Sequence, residues 1–206
     1  MVDAVRERQR DLDRLLTFVD AIVAIAITLL VLPLVELAPE LEDGGRVADL
    51  LRDHSDQLWA FALSFYVIAR IWISQHHAVA PLLAGSARLT GLLLVWTFTI
   101  VVLPFPTSLV AAAGGQALVK VLYVGTMALS ILVVSALRAE VLWHPELRDG
   151  SPYEGPLSGA VTAGLLLLAL LVMLVVPATS YFPILVLLLE VPVQRAVEAL
   201  RGRRPA

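Results

Sequence analysis

Charged side chains are scarce in this sequence, so each one inside an apolar stretch is a candidate for chemistry. Five stand out: Asp20, Arg70, His76, His77 and Glu190, with Trp72 one helical turn before His76. Histidine and aspartate can ligate a metal or move a proton. His76 and His77 are adjacent, however, and neighbours on a helix point ~100° apart, so they seldom hold one ion together. Trp72 and His76 are four apart and share a face. The reading this favours is a hydrogen-bonded anchor between helices, with Arg14 and Asp20 at the same depth. Arg70 lies roughly 9 Å deeper than His76, at 1.5 Å per residue. Glu190 falls at a similar depth, so an Arg70–Glu190 or Arg70–Asp20 ion pair is expected.

Enzyme chemistry finds no support. No nucleophile motif, no glycine-rich phosphate loop and no His-Glu-x-x-His pair occurs in the chain. The chain has no cysteine, which removes disulfides, thiolate metal sites and cysteine nucleophiles. Catalytic residues, a metal and a resident cofactor are therefore not expected.

A second arrangement is apolar. With Ile25 at zero on a helix, Leu29 falls ~40° away, Leu32 ~20° the other way and Thr28 ~60° away. Glu36 returns to within ~20° of the same stripe at the far end. A row of Ile25, Leu29 and Leu32 with an acid at its mouth fits a face against lipid or a neighbouring helix. On periodicity alone that is the favoured reading; the sharper one is the lining of a pore, where branched side chains from several copies form a dehydrating constriction. The acid would then gather cations. Asp20 lies ~140° from this stripe and is expected to point toward helices of its own subunit.

The elements that position these residues are membrane spans. Of 206 residues, 59% are hydrophobic and only 16% charged, with a mean hydropathy of +0.84. A water-soluble fold of this size cannot hide that much apolar surface. A net charge of −3 leaves no basic field for nucleic acid. Six stretches approach the ~20 apolar residues that a bilayer requires: residues 15–35, 57–76, 89–113, 116–137, 156–176 and 178–193. The fold class is thus an all-α integral membrane protein, a single six-span domain over 1–206. The mixed charges before Leu15 and the length of the first stretch argue for a retained span and not a cleaved signal. Pro33 is expected to bend or end the first helix, and Pro104 and Pro106 to break the third.

Arginine and lysine set the orientation. The termini and two of the loops carry Arg6, Arg8, Arg10, Arg14, Arg88, Arg138, Arg148, Arg195, Arg201, Arg203 and Arg204; the opposite side has Arg46, Arg52 and Lys120. Both termini are therefore expected to be cytoplasmic, with the acidic loop 36–56 outside.

The motifs, in order, resemble the transmembrane-protein-175 potassium channels. Arg14-Leu15-Leu16-Thr17-Phe18-Val19-Asp20 is similar to the opening of that family's first helix, Arg, three residues, then Phe-Ser-Asp. Ser64-Phe65, then Trp72 with His76-His77, resemble its second helix, and Leu103-Pro104-Phe105 its third. Val19 replaces the family serine. The resemblance covers the first half of the chain; the second half agrees only in span count. It implies a homotetrameric, potassium-permeable channel of a prokaryotic plasma (inner) membrane, embedded in the lipid bilayer as a multi-pass protein, with potassium and other monovalent cations as its permeant ions. The constriction positions of the family fall on Ile25, Leu29 and Leu32, with Thr28 as the polar lining residue and Glu36 at the outer mouth. Its packing network falls on Arg14, Asp20, Trp72 and His76.

The sequence contains no Thr-Val-Gly-Tyr-Gly filter; Tyr123-Val124-Gly125-Thr126 reuses those residue types in another order. Two competing readings share the same topology. A small secondary transporter would use Arg70 and Glu190 in a membrane cavity. A scaffold subunit would conduct nothing.

Overall fold

A computed structural model describes residues 2–41, 46–150, 153 and 155–176. The architecture is all-helical: α1 (Val2–Leu29), α2 (Leu32–Val35), α3 (Val47–Asp53), α4 (Ser55–Val79), α5 (Ala87–Val102), α6 (Pro104–Ala113), α7 (Ala117–Trp143) and α8 (Leu157–Val175), with short 3-10 turns at Ala38–Leu41 and Pro145–Leu147. Among the described residues, four runs are long and apolar enough to cross a membrane: Gln9–Leu41, Ser55–Val79, Ala87–Ala113 and Ala117–Trp143. Gly159–Val175 is a shorter apolar helix. The sixth stretch, 178–193, with Glu190 and the C-terminal arginines, lies outside the described residues.

Helix ends follow local chemistry. Pro33 has no N–H, and its ring clashes with the carbonyl four residues earlier, which is Leu29. α1 ends there, and Leu30 and Val31 turn back with tighter bonds to Ile27 and Thr28, both 3.3 Å. Pro104 and Pro106 divide the third stretch at Leu103 into α5 and α6. Ser86 caps α5 by accepting from the Leu89 N–H at 3.2 Å. Gly114, Gly115 and Gln116 alone separate α6 from α7, making an antiparallel hairpin.

α7 is the central helix, packed against α4, α5, α6 and α8. The larger core joins Val19, Val23 and Ala26 of α1 to Ile68 and Ile71 of α4, Trp96 of α5, and Tyr123 and Met127 of α7. A second core, at the end where α1 begins, gathers Leu12, Val79, Leu89, Leu93 and Leu137. α7 and α8 approach closely at Gly159, where a Cβ would collide with the Ser135 hydroxyl. Small residues permit such approaches in membranes, where packing replaces the hydrophobic effect between helices.

Polar side chains inside the bundle are mostly paired. Tyr123 Oη and Ser64 Oγ lie 2.7 Å apart, and Thr107 Oγ1 reaches Ser64 Oγ at 3.0 Å or the Leu103 carbonyl at 2.8 Å. One donation per hydroxyl satisfies the chain Tyr123, Ser64, Thr107, Leu103, and it fastens the proline break to α4 and α7. Lys120 was expected in a loop. It is buried in the first turn of α7 and donates to the Met173 carbonyl at 2.9 Å, placing a cation at the C-terminal end of α8. Arg138 was also expected in a loop. α7 runs on to Trp143, and Arg138 is buried, donating to Ser74 Oγ of α4 at 3.1 Å.

The α4–α5 and α7–α8 loops meet at one end of the bundle, as the span order requires. Leu83 N–H donates to the Leu147 carbonyl at 2.8 Å and Asp149 N–H to the Pro81 carbonyl at 3.0 Å. Tyr153 Oη donates to the Ala78 carbonyl at 2.7 Å, and the Arg148 guanidinium lies over the Tyr153 ring. Trp143 at this end and Trp59 at the other are strongly exposed, the placement of tryptophans at membrane interfaces.

Candidate functional site

α1 carries three faces, and its neighbours decide which is which. Leu12, Val19, Val23, Ala26 and Leu30 are buried, a 3.6-residue pattern turned toward the bundle. The small side chains Val19, Val23 and Ala26 let α1 lie close against α5. On the opposite side Ile25 is 59% exposed, Leu29 42% and Leu32 48%. About two turns of bulky apolar side chains therefore find no cover within one protomer.

Thr28 is exposed beside this stripe, and its Oγ1 donates to the Ile25 carbonyl at 2.8 Å. That donation occupies the hydroxyl proton and leaves the oxygen lone pairs free to meet a cation. Glu36 follows α2 and is exposed at the far end of the stripe. Four residues later, Glu40 Oε2 lies 2.9 Å from His54 Nε2, which ties the turn after α1 to the start of α4.

The third face of α1 carries the anchor. Trp72 Nε1 of α4 donates to Asp20 Oδ1 at 2.8 Å. The Trp72 and His76 rings lie 5.8 Å apart at 36°. Asp20, Trp72 and His76 are thus brought together at one end of α1 and α4. An indole–carboxylate bond fixes rotation better than apolar contact, because it has one direction and one length. It holds the stripe on the side away from the bundle.

Arg14 is not part of this cluster. It is exposed, it makes no hydrogen bond or ion pair among the described residues, and it lies ~120° around the helix from Asp20. Its register instead puts it ~20° from Ile25, on the stripe itself. Phe18, 55% exposed, is also ~20° from Ile25. Extending the same rotation toward the N-terminus would have found both. Arg70 is half-buried on α4, and Glu190 lies outside the described residues. Among the described residues, no group of three His, Asp or Glu side chains could hold a metal ion. Tyr123–Thr126 lies inside α7, with Tyr123 bonded to Ser64 and Thr126 Oγ1 to the Leu122 carbonyl at 2.7 Å.

Residues 14–104 match the family model described as endosomal/lysosomal potassium channel TMEM175. No curated protein and no solved structure matches the chain. The matched segment begins at the arginine on the stripe, includes the anchor and ends at the proline that opens α6. With its long apolar helices, the protein is a membrane protein whose residues 14–104 carry the pattern of the TMEM175 potassium-channel family.

Proposed function

We propose that the chain is one subunit of a potassium-permeable cation channel, with the α1 stripe as its pore lining. The observation that carries this reading is the stripe itself: Ile25, Leu29 and Leu32 stay uncovered in a helix whose opposite face is fully packed. Lipid could cover such a face. An acid at one end, a hydroxyl at Thr28 and an anchor that fixes rotation favour an axis over lipid. Four copies around that axis, the assembly the family resemblance implies, bring the branched side chains together as a neck.

In this neck a hydrated potassium ion sheds part of its water at Leu32, Leu29 and Ile25, in that order from outside. Potassium holds its water less tightly than sodium, so the apolar wall costs sodium more, and selectivity arises without a ring of backbone carbonyls. Thr28 offers an oxygen to the partly dehydrated ion. Glu36 raises the local cation concentration at the outer mouth. A neck of this kind also closes by dewetting, without a moving lid. The protein is then a homotetramer in a prokaryotic plasma membrane, a channel and not an enzyme, with potassium as permeant ion and no resident cofactor. Current through purified protein in a planar bilayer under a potassium gradient tests the reading. Saturable solute uptake without current would instead identify a transporter.

A further inference from the structure

The stripe does not stop at the membrane. α1 is one continuous helix from Val2 to Leu29, so the rotation that sets Ile25 also sets the residues before it. Arg14 lies eleven residues before Ile25 on this same helix and falls within ~20° of its direction, while Glu36, eleven residues after Ile25, is exposed beyond the break at Leu29. The lining is therefore bounded by an acid at one end and a base at the other, the base about 16 Å along the helix from Ile25. Phe18 fills the turn between Arg14 and the neck. Arg14 is exposed and makes no hydrogen bond or ion pair among the described residues. Glu7 and Asp11 continue the same side further from the neck, and both are exposed.

On the channel reading above, we infer that Arg14 forms the inner mouth of the pore and makes conduction asymmetric. Four guanidinium groups about 8 Å from the axis, screened at physiological salt, lower the cation concentration beside the neck about threefold. Glu36 acts in the opposite sense at the outer mouth. Cations entering from outside meet an attractive entrance, and those entering from inside meet a repulsive one. Inward current therefore exceeds outward current at equal and opposite voltages. Glu7 and Asp11 gather cations further out, but Arg14 is the charge nearest the neck and sets the barrier there.

The absence of cysteine makes this directly testable, because Arg14→Cys carries the only thiol in the protein. Currents are recorded in inside-out patches with equal potassium on both sides, before and after a charged methanethiosulfonate is added to the inner face. A positively charged reagent is expected to lower outward current about threefold relative to the unmodified variant, and a negatively charged one to raise it. Arg14→Lys should keep the asymmetry of the wild type, and Arg14→Gln should lose it. Currents that ignore both reagents would place Arg14 toward lipid headgroups and overturn the inference. Equal inhibition by both reagents would show steric blockage and overturn the role of charge. No current from the wild type would instead remove the channel reading on which the inference rests.

Discussion

The anchor between α1 and α4 can be measured with two residues and four variants. Trp72 Nε1 donates to a carboxylate oxygen of Asp20 at 2.8 Å, in a half-buried setting. Hydrogen bonds to charged groups contribute about 1.5–3 kcal/mol. Asp20→Ala removes the acceptor and should cost about 2 kcal/mol, equivalent to a fall in unfolding midpoint of about 4–8 °C for a chain of this size. Asp20→Asn keeps an acceptor and loses the charge, so about half of that cost is expected. Trp72→Phe should cost more than Asp20→Ala, because it leaves a carboxylate unpaired beside the membrane and also sheds ring contact with His76. The double variant should be no worse than Trp72→Phe alone by more than about 0.5 kcal/mol, a coupling near 2 kcal/mol. Thermal unfolding in detergent followed by helical circular dichroism gives all four values. Additive costs would mean that the bond contributes nothing of its own.

Ile25→Asn places an amide in the neck, which relieves sodium of more dehydration cost than potassium. It should raise sodium permeability relative to potassium about threefold, a shift of about 28 mV in reversal potential under bi-ionic conditions. An unchanged reversal potential removes Ile25 from the pore. Gly159→Ala should destabilise α8 against α7, because Ser135 must turn away and surrender its 2.9 Å bond to the Ile131 carbonyl. Adding Ser135→Ala clears the collision and lets the helix preference of alanine over glycine, about 1 kcal/mol, appear as a gain in unfolding midpoint. Equal midpoints for the single and double variants would show that the two helices do not meet there.

The stripe was legible in the sequence because helical rotation is rigid within α1, which fixes the mutual directions of Ile25 and Leu29; Leu32, beyond the break, is also exposed. The break at Leu29 was legible for the same local reason, a proline four residues later. Asp20 was expected to seek donors within its own subunit, and its bond to Trp72 answers that expectation. Arg14 was placed beside Asp20 by shared depth and by resemblance to a motif, although its register already set it apart from Asp20. The hydroxyl chain of Ser64, Thr107 and Tyr123 was not legible. Its members come from three helices and meet only after α6 folds back, so no spacing records them. Lys120 and Arg138 were read as loop residues because charge ends an apolar window. Each is retained inside α7 by a partner on another helix, Met173 or Ser74, that the window does not contain.

Conduction through the α1 stripe is tested by recording current through the purified wild-type protein in a planar bilayer, under a potassium gradient with sodium substituted on one side. A dehydrating neck should give unitary steps that reverse toward the potassium equilibrium potential and move only modestly when sodium replaces potassium. A silent bilayer, with reconstituted liposomes that take up a solute saturably, would show that the protein is not a channel.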